Sequence, residues 1–362
     1  MTGSINAGRL ATRRAFLKKS GTVAGGAYLS SFAKTVQASL KRAADVPSAQ
    51  LARFGWTDLR VSRLCQGTAF RQVTREGDDP NAQVILRRCL DLGINFFDTS
   101  NAYGWGGSEI ALGRAIKGSR DKVVICTKVS NYLKPEGSST PGKQLYSRAM
   151  IMREAEGSLK RLGTDYVDLY LIHNTSEGTP PEEIADAMHA LVKSGKIRYW
   201  GLSNQSDERV AELLKIGASS GRTRLAALED YYNIVAGQRR DFMEKKLFPL
   251  IRRGKLGLMA FSPLAEGRLA PGRPVETGSA LEAVVKVLDQ VAKELGATRP
   301  QVCVAWVLTR PEVTSVLAGA ERPEHVEDNV KGSSLILPLD SLKRLNDASD
   351  TYTKGETGKQ KI

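Results

Sequence analysis

The sequence predicts an α/β chain folded as a closed, parallel (β/α)8 barrel of the TIM type, with an N-terminal β-hairpin and a C-terminal helix. Three observations carry that prediction. Eight short apolar runs, at 61–69, 95–100, 123–129, 167–173, 197–204, 226–234, 256–262 and 313–319, alternate with amphipathic segments in one continuous stretch. Three of them end abruptly in a titratable side chain: Asp98 after Ile94-Asn95-Phe96-Phe97, Lys128 after Val123–Thr127, and His173 after Val167–Ile172. Ionisable groups at successive strand ends describe one site at the carboxyl end of a parallel sheet. An open, doubly wound sheet would instead want a G-x-G-x-x-G turn after its first strand, and Gly67-Thr68-Ala69-Phe70 lacks that spacing.

In chain order, the N-terminus comes first. Thr12-Arg13-Arg14-Ala15-Phe16-Leu17-Lys18 precedes an uncharged segment, Ser20 to Ala33, and the small-residue run Val36-Gln37-Ala38-Ser39. A basic region, a short weakly apolar stretch and a cleavable small-residue site resemble a twin-arginine export signal, so residues 1–38 are expected to be removed and the mature domain to span 39–362. The expected location is the periplasm or another exported compartment. Leu51 to Arg60, with Gly55 and Asp58 as turn residues, reads as a hairpin leading into the first barrel strand. Helical spacing follows at Ile85, Cys89 and Leu90, at Ile151, Ala155, Leu159 and Leu162, at Val210, Leu213 and Leu214, and at Leu281, Val284, Leu288, Val291 and Leu295. Pro- and Gly-rich segments at 134–142 and 265–278 follow the third and seventh strands, where barrel loops enclose ligands.

Composition narrows the function classes. The formal charge is +14, but Arg9, Arg13, Arg14, Lys18, Lys19 and Lys34 supply six of these charges within the expected leader, leaving +8 spread over many segments. That distribution argues against a nucleic-acid-binding face. No stretch reaches the 18 or more apolar residues of a membrane-spanning helix, so the mature chain is expected to hold no integral membrane segment. Cys65, Cys89, Cys126 and Cys303 stand singly in apolar runs without metal-ligand spacing, which reads as small buried hydrophobes and no metal site.

The central stretch is GINFFDTSNAYGWGGSEIALG at 93–113, where Tyr103 lies in a Gly-rich loop five residues beyond Asp98. Together with VVICTK at 123–128, DYVDLYLIH at 165–173, GKIRYWGLSN at 195–204, FSPLAEGRL at 261–269 and AGAERPEHVEDN at 318–329, it resembles the aldo-keto reductases over residues 51–335. The resemblance implies a catalytic tetrad of Asp98, Tyr103, Lys128 and His173. A phenol with an ordinary pKa near 10 is a poor acid at neutral pH, so Lys128 is expected to lower it, Asp98 to keep Lys128 charged, and His173 to orient the substrate oxygen.

The same resemblance implies NADP(H) as cofactor, with NAD(H) as the alternative. Ser203 and Asn204 match carboxamide-binding positions, Phe261 the aromatic that stacks on nicotinamide, and Ser262, Leu264 and Gly267 the loop around the pyrophosphate. Arg322, His325, Asp328 and Asn329 match positions around the adenosine and its 2′-phosphate, at the start of a predicted helix suited to anions. Two positions depart from the pattern. Glu229 stands where the family usually has a carboxamide-binding Gln, and Gly319-Ala320 with Glu321 replace a common Lys-Ser pair, so the NADP preference rests mainly on Arg322. Trp105 and the segments 130–142 and 174–180 are expected to line a pocket for a small carbonyl or alcohol substrate. The function implied is hydride transfer with Tyr103 as general acid/base; the alternative is an exported nucleotide-binding regulatory or partner protein on the same fold.

Overall fold

In the computed structural model the described residues are 46–133, 142–143, 145–219 and 221–359, with the side chains of 132, 133, 142, 143 and 356–359 left aside. The expected leader and most of segment 134–142 lie outside them.

The chain opens with the hairpin β1 (Leu51–Arg53) and β2 (Arg60–Ser62), paired antiparallel with Leu51 opposite Ser62. Its second strand runs past Arg60 to Ser62, and the first barrel strand, β3 (Leu64–Gly67), begins only after Arg63. The barrel continues through β4 (Phe96–Asp98) and β5 (Val124–Val129). A short pair, β6 (Tyr132–Leu133) and β7 (Gly142–Lys143), leads to β8 (Val167–Ile172), β9 (Ile197–Ser203), β10 (Ala227–Tyr231), β11 (Gly257–Phe261) and β12 (Ser315–Gly319). Eight strands, β3, β4, β5, β8, β9, β10, β11 and β12, pair in parallel and close on themselves between β12 and β3. This is the (β/α)8 barrel that the alternation predicts.

Eleven α-helices flank it among the described residues: α1 (Ala82–Asp91), α2 (Gly107–Ala115), α3 (Arg148–Leu162), α4 (Pro181–Lys193), α5 (Asp207–Ser219), α6 (Gln238–Phe242), α7 (Phe248–Gly254), α8 (Ala280–Glu294), α9 (Arg299–Leu308), α10 (Pro323–Ser334) and α11 (Leu339–Lys359). Helix α3 shows why such segments fold locally. The Ser147 hydroxyl accepts from the Met150 N–H at 3.3 Å, Gly163 ends the helix at φ 66°, and Ile151, Ala155, Leu159 and Leu162 form its buried stripe. No helix among the described residues is long and apolar enough to cross a membrane. Helices α6 and α7, joined by a π-helical turn at Met243–Leu247, carry no single clean stripe, and the sequence marks no helix there.

The barrel interior follows from period-2 alternation. Phe54 and Leu59 of the hairpin close the amino end, and Cys65, Phe96, Val124, Cys126, Leu169, Leu171, Ala227, Met259 and Leu317 fill the space above them. A Cβ on Gly257 would fall 2.3 Å from the Phe54 ring, so the plug fits only because that strand begins without a side chain. Two residues on from these apolar positions the same inward face carries a layer that is polar except for one aromatic ring. Phe96 leads to Asp98, Cys126 to Lys128, Leu171 to His173, Ala227 to Glu229 and Met259 to Phe261.

Candidate active site

Lys128 is the centre of that layer and is wholly buried. Its ammonium donates to both oxygens of Asp98, each at 2.6 Å, and to the Thr99 carbonyl at 3.1 Å. Glu229 Oε1 approaches it at 3.3 Å from the far wall, and the Tyr103 hydroxyl lies at 3.4 Å. Burial alone would strip the Lys128 proton, but Asp98 and Glu229 outweigh it and hold the amine well above its usual range. Burial pushes both carboxyl groups up, against the pull of Lys128 on each.

Tyr103 reaches this cation because of its loop. The turn Tyr103–Gly106 has Gly104 at φ 55°, Trp105 at φ 57° and Gly106 at φ 93°, a left-handed run that glycine makes accessible. At Gly107 an added Cβ would come within 1.7 Å of the Thr74 carbonyl oxygen, so helix α2 can start there only with glycine. The phenol oxygen lies 3.4 Å from His173 Nε2, and the rings meet edge to face at 5.5 Å. The Ser100 hydroxyl, 3.0 Å from His173 Nδ1, fixes the other side of the imidazole. Burial, with Lys128 nearby, lowers His173 from 6.5 to about 3, so the ring is neutral at physiological pH.

The acidity of Tyr103 departs from the sequence expectation. Lys128 does pull the phenol down, but burial and the two carboxyl groups outweigh it, and the net direction is upward. Tyr103 therefore carries its proton at neutral pH, which is the state a donor needs. The Lys128 charge acts when negative charge builds on the phenol oxygen.

A cleft of about 900 Å³ opens above this floor, within the size range of ligand pockets. Asp98, Tyr103 and His173 line it, with Lys128 beneath. Of the expected cofactor positions, Asn204, Glu229, Phe261, Ser262, Leu264, Gly267, Arg322, His325 and Asn329 line it as well. Ser203 supports the floor from behind: its hydroxyl accepts from the Asn204 amide at 2.9 Å, which places Asn204, at φ 57°, over the rim.

Asp328 departs from its expected place. Its carboxylate accepts from the Thr298 hydroxyl at 2.8 Å and the Gln301 amide at 2.6 Å, tying α10 to the start of α9, and it does not line the cleft. Its neighbour Asn329 faces the cleft instead, while Asp328 is drawn aside by Thr298 and Gln301. Trp105 and 174–180 are also absent from the lining; Trp105 is half-exposed, with the Arg75 guanidinium 5.4 Å from its ring. The segment 265–278 contributes Glu266, Ala270 and Arg273 besides Gly267.

The residues present fit a dinucleotide. Phe70 and Phe261 offer ring faces, while Arg71, Arg273 and Arg322 offer cations along the cleft. His325 adds an anion-seeking geometry. Its Nδ1 lies 3.3 Å from the Glu321 N–H and its Nε2 3.0 Å from the Arg322 guanidinium, yet a neutral imidazole has one acceptor nitrogen, so two donors compete for it. The donor that loses is available to a phosphate. Asp98, Cys126 and Glu229 also bring ligand-type atoms within 4.8 Å of one another, but the Lys128 ammonium already fills the cation position between the carboxyls.

Sequence reasoning did not single out Ser100, Arg71 or Gln72, and it reached Arg273 only as part of segment 265–278. Ser100 stands in the same quoted stretch as Asp98, and its signal was a run of small polar residues after a buried strand. The other three lie on loops whose course no periodicity reports.

Comparison with known proteins agrees with this geometry. A model described as Aldo/keto reductase family matches residues 63–350. The chain is 34% identical over 313 residues to the uncharacterized oxidoreductase YrpG of Bacillus subtilis (strain 168), covering 81% of this chain and 94% of that protein. It is 31% identical over 310 residues to a probable voltage-gated potassium channel subunit beta of Oryza sativa subsp. japonica, covering 79% and 92%. It is also 31% identical over 313 residues to an NADH-specific methylglyoxal reductase of Escherichia coli (strain K12), covering 78% and 93%.

Proposed function

The chain belongs to the aldo/keto reductase family and is an NAD(P)H-dependent oxidoreductase, and on that premise we propose that it moves hydride between NADP(H) and an aldehyde or ketone, with Tyr103 as general acid/base. The observation that carries this reading is the position of the Tyr103 hydroxyl, 3.4 Å from both the Lys128 ammonium and His173 Nε2 on the floor of the cleft. The nicotinamide cofactor supplies the hydride when bound. A carbonyl oxygen held by Tyr103 and neutral His173 takes the Tyr103 proton as its carbon is reduced; the O–H bond of the phenol breaks as that of the alcohol forms. Lys128, kept charged by Asp98, stabilises the phenolate left behind.

The NADP preference rests on Arg322 and its contest with Glu321 for His325, which leaves a donor for a 2′-phosphate. A relative named for NADH makes NAD(H) the reading to test against it. Carbonyl reduction by the purified mature chain, measured with NADPH and with NADH, decides both points. Tyr103→Phe is expected to lower the rate by about 10²–10⁴-fold, and equal rates across a broad aldehyde and ketone panel overturn the enzymatic assignment. The channel-subunit relatives favour a second reading, in which the nucleotide-loaded chain serves chiefly as a partner of another protein; nucleotide binding without turnover on that panel selects it.

The leader Thr12–Lys18 supports export through a twin-arginine route, with the cofactor bound during folding and carried out by the folded chain. Arg13→Lys with Arg14→Lys in a reporter fusion is expected to abolish export, and protein recovered outside the cytoplasm without nucleotide overturns the carried-cofactor part.

A further inference from the structure

The polar layer holds one ammonium and two carboxyl groups, and they are not equivalent. Asp98 takes both of its oxygens to Lys128 at 2.6 Å, whereas Glu229 offers one oxygen at 3.3 Å. No hydrogen-bond donor among the described residues reaches the other oxygen, Oε2, although the side chain is 4% exposed. The two carboxyl groups also face each other, an oxygen of Asp98 and one of Glu229 lying within 4.8 Å. The remaining titratable neighbours do not supply a charge: Tyr103, Cys65 and Cys126 are all held protonated by burial, and His173 is neutral. Asp230, the next residue on β10, is engaged by Arg239. With Asp98 ionised, an ionised Glu229 would leave a bare negative charge in a closed barrel, which is costly. A proton on Glu229 makes the cluster neutral and gives Oε2 a hydrogen to share.

Glu229 lines the same cleft floor as Tyr103 and His173. Hydride transfer to a carbonyl held by those two residues brings the nicotinamide ring to that floor. The oxidised ring is a cation and the reduced ring is neutral, so the charge that Glu229 faces changes by one with each turnover.

We propose that Glu229 keeps its proton while the nicotinamide is reduced and releases it when the ring becomes cationic, so that one proton is linked to the oxidation state of the bound cofactor. This rests on the hydride-transfer reading above. The linkage runs in one direction. If binding of the oxidised form expels a proton, its affinity rises with pH, while affinity for the reduced form gains nothing from Glu229. Proton linkage of the 2′-phosphate and of groups away from the nicotinamide acts on both forms and cancels in the ratio.

The test is direct binding of NADP+ and of NADPH to the nucleotide-free mature chain between pH 6 and 9, for the native chain and Glu229→Gln, with NAD+ and NADH as a parallel pair. The ratio of the NADPH to the NADP+ dissociation constant is expected to rise with pH in the native chain, by up to about tenfold per pH unit, and to stay flat in E229Q. Calorimetry in buffers of different ionisation enthalpy provides a second readout, in which NADP+ binding releases more protons than NADPH binding in the native chain and not in E229Q. A pH-independent ratio in the native chain, or the same slope in a folded E229Q, overturns the proposal and leaves the enzymatic reading standing. Failure of every nucleotide to bind overturns both.

Discussion

The two ends of the barrel bury carboxylates in opposite ways. At the amino end, Asp168 on β8 accepts from Arg120 at 2.8 Å, from Arg198 at 2.9 Å and from the Ile125 N–H at 3.0 Å. Arg198 extends to Asp58 in the hairpin turn, also held by the Tyr199 hydroxyl at 2.8 Å. At the carboxyl end, two carboxyls divide a single ammonium, and one oxygen has no donor. The first arrangement is complete and faces nothing that changes charge. The second is one donor short and opens onto a cleft. Completeness marks the structural cluster, and incompleteness marks the one built to meet a ligand.

The sharpest way to break this contrast is to remove the carboxyl-end cation. Lys128→Met is expected to lower carbonyl reduction by about 10³-fold, while the chain stays folded because Asp98 and Glu229 can both take up protons. Steady-state kinetics beside urea unfolding checks it; an unfolding loss as great as that of the Asp168 variant erases the distinction. Asp168→Asn should behave oppositely. It leaves Arg120 and Arg198 without their shared anion, costs about 3 kcal/mol in unfolding free energy, and leaves the NADPH-dependent rate within about twofold of the native rate.

A gentler probe uses pH. His173 titrates near 6.5 when unfolded and near 3 when folded, so between those values the unfolded chain binds the extra proton and stability falls as pH falls. His173→Gln is expected to flatten that decline by up to about 1.4 kcal/mol per pH unit, read from denaturant melts across the window. An unchanged slope would place the imidazole in contact with solvent.

The contrast also explains what the sequence made legible. The eight strands could be read because parallel barrel strands are buried on both faces and appear as apolar runs with sharp ends. Asp98, Lys128 and His173 could be read because each terminates such a run, and Glu229 because it departs from a recognised pattern. The pairing of Asp98 and Glu229 about one lysine could not be read, since it joins β4, β5 and β10 across the barrel and depends on closure. Asp168 is written inside an apolar run, and nothing local says that it faces outward to arginines 48 residues before and 30 after it. That Asp328 turns toward α9 could not be read for the related reason that a helix face is set by tertiary packing.

The four cysteines, all buried in the closed fold, carry a consequence for the order of events in the life of the chain. Burial raises the thiol of every one, Cys303 up to about 12, so the thiolate that oxidants attack is scarce once the barrel is shut. Before closure, four ordinary thiols are open to oxidation and to mispairing. A chain that crosses into an oxidising compartment already folded keeps its sulfur reduced without any reductant there, whereas the same chain threaded across unfolded would meet oxidants with all four exposed. For the export we propose, passage after folding protects the protein as well as its cofactor.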